Sequence, residues 1–529
     1  MSLSPVRRPV RRSLGRGGSL GVGGALALVA ALALAAFGVV RGTRSVGGSD
    51  SSCYALMAEA FATGHWQPSS PMAMAAPWPD ASRTLAPGGF IPSPVRPDAA
   101  FVLVVCAFAL ANRLGGGLAG VSAAVLTASS PIVLFQAVQP MNDIATAALW
   151  LAALTVTVRL TTFAEVSAVK KPDTTADQGG HVASAHVASA HVASGFSRTC
   201  AFAGLLTGLA ILVRPNLAPL AVILAVMQWR SGQPLPLKGT ALLIAGALPG
   251  VAAWLWLNHV LYGSVAGNGY GEVGQLFSLS HVAANVANYS KAFYQTQTVF
   301  PLVALAAPFV LAGEARRVAW WLLAFAAAVI SGYLLYRPYP EWWYLRFLIP
   351  AIVLMIVIAC SVAAHVANRM RMRGVVAIGT VVLALMGLRV AGEREVLALR
   401  SLEGRYRETA TLIADRLLAN AVLITVWQSG SVKFHAGREA VLWDSLDPAW
   451  LDRAVTWLSA QGRAPYILVE RREEADFRDR FRGHAELGAL DWPPRFNIGG
   501  QSRIFDPLDR PRYLAGEAYP TENIRPARR

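Results

Sequence analysis

The sequence predicts a mainly α protein, a polytopic transmembrane helical bundle of about eleven spans followed by a small α/β domain outside the cytoplasm. Hydrophobic residues make up 54% of the 529-residue chain and charged residues only 15%. The apolar residues gather into long blocks that end near Leu388, the pattern of a membrane protein. The formal surplus of +16 comes as short basic clusters at the ends of those blocks. That distribution reports membrane topology and argues against a nucleic-acid partner, which calls for a basic stripe with interleaved aromatics. After Leu388 charge becomes frequent, and short apolar strands alternate with amphipathic stretches.

Residues 1–19, with "VRRPVRRSLGRGG", form a basic N-terminus. The first apolar run, Leu20 to Val40, is long enough to span a bilayer and lacks a small-residue cleavage site, so it reads as a retained helix and not a removed signal. Residues 20–390 form the transmembrane domain. A first external loop covers 41–98, and further spans are expected at Ala99–Asn112, Gly117–Ala137, Ile144–Leu160, Cys200–Val213, Leu217–Trp229, Thr240–Trp256, Val299–Ala312, Val318–Tyr336, Phe347–Ala367 and Val375–Leu388. A cytoplasmic N-terminus then places Arg113, Lys170, Lys171, Arg230, Lys238, Arg316, Arg317, Arg369, Arg371 and Arg373 on the same inner side, as the positive-inside rule requires. The other side receives the first loop, the Gln139–Asp143 corner, the Asn258–Thr298 segment, "YRPYPEWWYLR" and the C-terminal region. The expected location is that of an integral membrane protein of a bacterial inner membrane, with the C-terminal domain external.

Residues 161–199 hold a direct repeat, with His181, His186 and His191 five apart. Histidine-rich tracts can chelate metal, but a spacing of five does not stack side chains on one helical face, and the flanking Ala, Ser and Gly suit a disordered cytoplasmic linker. Residues 391–529 form the soluble domain. It should contain a helix at Tyr406–Leu418, strands at Ala421–Trp427 and Tyr466–Glu470, a helix at Pro448–Ala460 and another running to Arg482. Cys106, Cys200 and Cys360 sit in apolar runs as packing residues, leaving Cys53 on the aqueous side and no disulfide framework.

Charged side chains at membrane ends are expensive unless paired or hydrated, so those that persist are candidates for function. Asp50 follows the first span in "GGSDSSCYALMAEAFATGHW", Asp143 leads a span in "QAVQPMND", and Arg214 occupies an "RPN" corner. Arg337, Glu341 and Arg346 lie in "YRPYPEWWYLRF". Each has a plainer reading. Either acid can simply cap a helix, the aromatic residues can form an interfacial belt, and the arginines can anchor headgroups. Convergence on one side favours chemistry: an acid beside fixed cations is what deprotonating a hydroxyl while holding a phosphate leaving group requires. The Pro- and Gly-rich "APWPDASRTLAPGGFIPSP", which carries Arg83, belongs to the same side.

Taken in order, these features resemble the GT-C class of integral-membrane glycosyltransferases, in particular the branch of the protein mannosyltransferases and aminoarabinose transferases related to glycosyltransferase family 39. The resemblance runs from the first span to about Leu388. It comprises the outer-loop Asp50 with Tyr54, Met57–Phe61, Gly64 and Trp66, then "MND", "GLLTGLAILVRPN", "NHVLYGSVAGNGYG" with Tyr270, and "WWYLRFLIPA". It implies hexosyl or pentosyl transfer from a polyprenyl-phosphate sugar to a lipid, glycan or protein acceptor on the external face, with inversion. Asp50 maps onto the catalytic base and Asp143 onto a second acid that orients the acceptor or a metal. Arg214, Arg337 and Arg346 would bind the donor phosphate, and Tyr54, Arg83, Tyr270 and Glu341 would line the substrate. Ser51 and Ser52 stand where the protein mannosyltransferases carry a paired acid, which leaves acceptor and divalent metal open. The rival readings are a transporter or flippase of a lipid-linked or small polar solute, which would favour midplane charges and internal repeats, and a membrane-anchored sensor.

Overall fold

The structure, a computed structural model, describes residues 21–47, 52, 55–56, 72, 75–85, 99–139, 141–169, 182–230, 236–265, 273–518 and 521–525. The membrane part consists of α1 (Val22–Arg41), α2 (Ala99–Gly115), α3 (Gly117–Ala128), α4 (Pro131–Ala137), α5 (Asp143–Val169), α6 (Val182–Val213), α7 (Leu220–Trp229), α8 (Pro236–Tyr262), α9 (Val282–Gln297), α10 (Gly313–Leu334), α11 (Ile349–Met370) and α12 (Arg373–Glu393). Each of the eleven apolar runs of the sequence contains helix among the described residues, the run at Val299–Ala312 mainly as the 3-10 segment Phe300–Ala306. Among the described residues six helices are long and apolar enough to cross a membrane, α3 and α4 form one further bent pair, and four other apolar helices are shorter.

Burial sorts these helices. Residues of α11 are buried along nearly its whole length, so it is the axis of the bundle, whereas α1 and α12 expose Val22, Leu26, Val29, Val375, Ile378, Val381 and Leu385. Rows of exposed aliphatic side chains on 20- and 21-residue helices match a lipid surface, since a helix of that length reaches about 30 Å. The α3–α4 bend of 58° has a cause in the chain, because Pro131 brings no N–H and closes off the ladder after Ser129 and Ser130. At this bend Gly387 of α12 meets the Ser129 carbonyl, where a Cβ would stand only 2.5 Å from the oxygen.

Close helix approach in lipid depends on small residues, and α6 and α8 supply them in matched positions. A Cβ on Gly204 would lie 2.1 Å from the Leu243 carbonyl oxygen, on Gly208 2.4 Å from that of Ala247, and on Gly246 2.1 Å from that of Ala201. The two helices therefore run in the same direction with backbones in contact, through a Gly-x-x-x-Gly pair on each. α5 continues to Val169 and α6 begins at Val182, so the backbone of the low-complexity segment expected as a linker over 161–199 is helical at both ends. Alanine, the best helix former, recurs through the repeat and accounts for that outcome.

One end of the bundle is marked by the pair Arg113–Glu314 at 2.8 Å, which ties the end of α2 to the start of α10. The opposite end collects the end of α1, the start of α5, the end of α6 and the start of α11. There the Thr43 N–H donates to the Val138 carbonyl at 2.8 Å, and Arg400 Nη1 donates to the Val40 carbonyl at 2.6 Å.

From this end rises the α/β domain: α13 (Leu399–Arg416), β1 (Ala421–Ile424), α14 (Ser429–Phe434), β2 (Glu439–Val441), α15 (Leu451–Ala460), β3 (Ala464–Glu470), α16 (Glu474–Phe481), β4 (Phe496–Ile498), β5 (Ser502–Phe505), α17 (Asp509–Leu514) and β6 (Glu522–Ile524). The sheet order is β2-β1-β3-β5-β4-β6, with β1 parallel to both β2 and β3, and β5 antiparallel to β3 and β4. Side chains alternate between its faces. Val422, Ile424, Ile467 and Val469 face Leu451, Leu458, Phe477 and Phe481 of α15 and α16, while Leu423, Tyr466 and Leu468 face Ala410 and Ile413 of α13 and Val432 of α14. The first of these cores also takes Met72, Trp78, Ala81 and Leu85 from the first loop. Trp78 packs edge-on to Trp457 at 5.4 Å, and the Leu442 N–H donates to the Thr84 carbonyl at 2.6 Å. The soluble unit expected over 391–529 thus has part of its core supplied from within 41–98.

Candidate active site

Local sequence dictates where Arg214 can sit. The residue before a proline is driven out of the helical region, and Arg214, before Pro215, takes φ −148° and ψ 85°. α6 therefore stops at Val213 and its next side chain turns sideways, toward the start of α5. There Asp143 lies in the first turn of α5, where the exposed amide ends favour a carboxylate. Arg214 Nη1 donates to Asp143 Oδ1, and Asn142 Nδ2 donates to the Val213 carbonyl at 3.1 Å. Two contacts thus join the corner before α5 to the end of α6.

A second cation reaches the same acid. Arg346 lies in the 3-10 segment Trp342–Leu348 that feeds α11, with its Nε 3.9 Å from Asp143 Oδ2 and its Nη1 3.8 Å from Met141 Sδ. Asp143 is 3% exposed and Arg346 7%. Both guanidinium groups also lie against one aromatic ring, with the Arg214 and Arg346 Cζ atoms 5.0 Å and 5.1 Å from the Phe347 centroid. Cation–π contact of this kind helps hold desolvated arginines. Behind Phe347, Tyr333 stacks at 5.1 Å with its plane tilted only 7°, and its hydroxyl accepts from Asn216 Nδ2 at 3.1 Å. Asn285 of α9 closes the end of α10, donating to the carbonyls of Tyr333 at 3.3 Å, Leu334 at 3.0 Å and Tyr336.

Asp143, Arg214 and Arg346, picked out separately in the sequence, are therefore one cluster in which both arginines approach the same acid. Arginine forks match phosphate or carboxylate oxygens, so the chemistry on offer is recognition of an anion at one end of the bundle. Arg337 and Glu341 are exposed. The Arg337 N–H donates to the Leu276 carbonyl at 2.8 Å, and the Glu341 carbonyl accepts from the Tyr344 N–H at 3.2 Å. Arg83 belongs to the helical turn Ala81–Thr84, with its side chain outside the described set. Asp50, Tyr54 and Tyr270 lie outside the described residues. The Thr43–Val138 hydrogen bond does bring the start of the first loop beside the corner that leads to Asp143. Among the described residues no group of three His, Cys, Asp or Glu side chains is assembled to hold a metal ion. Asn142 and Phe347 lie in the motifs "MND" and "WWYLRFLIPA" without being singled out, and Asn285 and Tyr333 carried no signal beyond a polar or aromatic residue near an apolar run.

No protein-family model matches the chain, and no curated protein matches it. Solved structures do. The crystal structure of ArnT from Cupriavidus metallidurans bound to undecaprenyl phosphate aligns with a TM-score of 0.50, covering 86% of this chain and 94% of that one at 14% identity. The same protein in its apo state gives a TM-score of 0.47 at 15% identity, covering 87% and 95%. The Archaeoglobus fulgidus oligosaccharyltransferase in complex with Zn and sulfate gives 0.48 at 12% identity, covering 87% and 70%. At these identities the likeness is one of architecture: the chain shares the GT-C fold that its motifs resemble.

Proposed function

We propose that this protein is an inverting membrane glycosyltransferase that moves a sugar from a polyprenyl-phosphate donor to an acceptor on the external face of a bacterial inner membrane, with its N-terminus cytoplasmic. The observation that carries the proposal is the buried Arg214–Asp143–Arg346 cluster at the bundle end where the first loop arrives, in a fold shared with a protein crystallised with undecaprenyl phosphate.

In the reaction the Asp50 carboxylate takes the proton of an acceptor hydroxyl, and the acceptor oxygen attacks the anomeric carbon from the face opposite the phosphate. The bond from that carbon to the phosphate oxygen breaks, and the polyprenyl phosphate leaves with the electron pair. Its developing charge is met by Arg214 and Arg346, which are held in place beforehand and so cost little reorganisation. Asp143 orients the two arginines. Hexosyl and pentosyl donors fit this scheme equally, as do lipid, glycan and protein acceptors. The cluster's place at one end of the bundle, among the ends of α5, α6 and α11, favours an enzyme over a transporter, whose charged groups belong near the midplane.

The test compares cell-envelope glycans and lipids by mass spectrometry in cells lacking the protein, complemented with wild type or with Asp50→Asn. The expected result is a sugar modification that wild type restores and Asp50→Asn, inserted at equal level, does not. Full restoration by the variant would sink the assignment of the base.

A further inference from the structure

We propose that His435 and Gly430 of the C-terminal domain are positioning residues, which fix the first external loop on both sides of Asp50. The inference deepens the reading of Asp50 as the base and rests on it. Its ground is that both flanks of Asp50 touch the same short helix. Before the acid, the Val46 N–H donates to His435 Nε2 at 3.0 Å across 389 positions of sequence. After it, Ser52 is fully buried against Gly430, where a Cβ would stand 2.0 Å from the Ser52 Cβ and 2.5 Å from the Gly47 carbonyl oxygen. Only a glycine in α14 lets both strands of the loop approach so closely. Gly47 in turn lies on Tyr406 of α13, since a Cβ there would be 2.9 Å from the ring. The Tyr406 carbonyl accepts from Ser431 Oγ at 2.6 Å, which makes α13 and α14 one cradle.

Docking of the domain does not by itself call for these contacts. The domain is already attached through Trp78 and Trp457, through Thr84 and Leu442, and through Arg400 at the end of α1. What the cradle adds is a restraint on the few residues between Gly47 and Ser52. A base misplaced by about 1 Å can lose about a hundredfold in rate, so anchoring a short segment at both ends bears directly on chemistry. His435 serves here as an acceptor, through an unprotonated Nε2.

Hydrogen exchange of the full-length protein in nanodiscs tests this without any substrate, read on peptides that include Val46 and Ser52. His435→Leu removes the acceptor and is expected to speed exchange at Val46 about tenfold, the loss of one hydrogen bond. His435→Gln keeps an acceptor oxygen at a similar reach and is expected to return exchange to near wild type. Gly430→Val is expected to deprotect both flanks. The rate of sugar transfer from the pooled polyprenyl-phosphate sugars of host membranes should follow the same order, falling about tenfold in His435→Leu and recovering to within about threefold in His435→Gln. Unchanged exchange in both His435→Leu and Gly430→Val overturns the clamp, as does a His435→Gln protein no better than His435→Leu. Normal transfer by Asp50→Asn, with these exchange effects intact, overturns the assignment of the base and leaves the clamp standing.

Discussion

Two of the buried ionisable clusters among the described residues are built in opposite ways. At the bundle end, two arginines share Asp143. In the α/β domain two acids, Glu470 and Glu473, lie together and are held by both backbone and side-chain donors. Glu473 Oε1 accepts from the Trp427 N–H at 3.1 Å and its Oε2 from the Glu470 N–H at 3.0 Å. Glu470 Oε1 accepts from Gln428 Nε2 at 3.0 Å and from Arg405 Nε at 3.2 Å. A carboxylate already satisfied by amides at a strand end is part of the framework. Guanidinium forks gathered at one end of the bundle are groups that recognise an anion.

The largest expected effect separates the two directly. Asp143→Ala removes the acid that Arg214 and Arg346 share, and removing one partner of a buried ion pair costs about 3–5 kcal/mol. Thermal unfolding in a lipid-like detergent should show a loss of this size and a collapse of transfer. A loss under about 1 kcal/mol would mean that water reaches the cluster and the charges are screened.

Glu473 provides the next contrast, through pH. Burial, reinforced by the charges of Glu470 and Asp444 against the opposing backbone hydrogen bonds, raises its carboxyl from an ordinary 4.5 to about 8. A raised acid keeps its proton in the fold while the unfolded chain releases it, so stability falls as pH rises from about 4.5 to about 8. At about 1.4 kcal/mol per unit at full slope, and with each end of the window half titrated, the α/β domain should lose on the order of 4 kcal/mol over it. Tryptophan fluorescence melts at pH 5 and pH 8 would show it. Glu473→Gln, fixed in the uncharged form, should remove most of the dependence; an equal slope in that variant would place the titrating group elsewhere.

Both regions were partly legible in the chain. The cost of charge beside apolar runs singled out Asp143, Arg214 and Arg346 one at a time. Their partnership was not legible, because 71 residues separate Asp143 from Arg214 and only the packing of α5 against α6 closes that gap. Asn285 sits in "NVANYSKAFY", which looks like an ordinary polar helix face until α10 ends against it. In the soluble domain the long strand β3 and helix α15 show their periodicity, but β2, β4 and β6 have three residues each, too few for alternation to register. The place of Trp78 and Leu85 in that domain's core was hidden by more than 300 residues of intervening chain. The Gly204–Gly208 and Gly246–Gly250 spacings were on the page, yet which helix would face which depended on the bundle.

The smallest expected effect isolates what makes the Asp143 cluster costly to disturb. Arg482 and Asp479 meet at 2.6 Å, a contact as close as many buried pairs, but with 78% and 68% of their side chains exposed. Arg214 and Asp143 stand at 16% and 3%. If contact distance governed, Arg482→Ala would cost as much as breaking the buried pair. If desolvation governs, water takes over the role of each lost partner and the change stays within about 0.5 kcal/mol. Thermal melts of Arg482→Ala beside Asp143→Ala decide between the two, and a surface loss above about 1 kcal/mol would remove burial as the reason the two-arginine cluster is special.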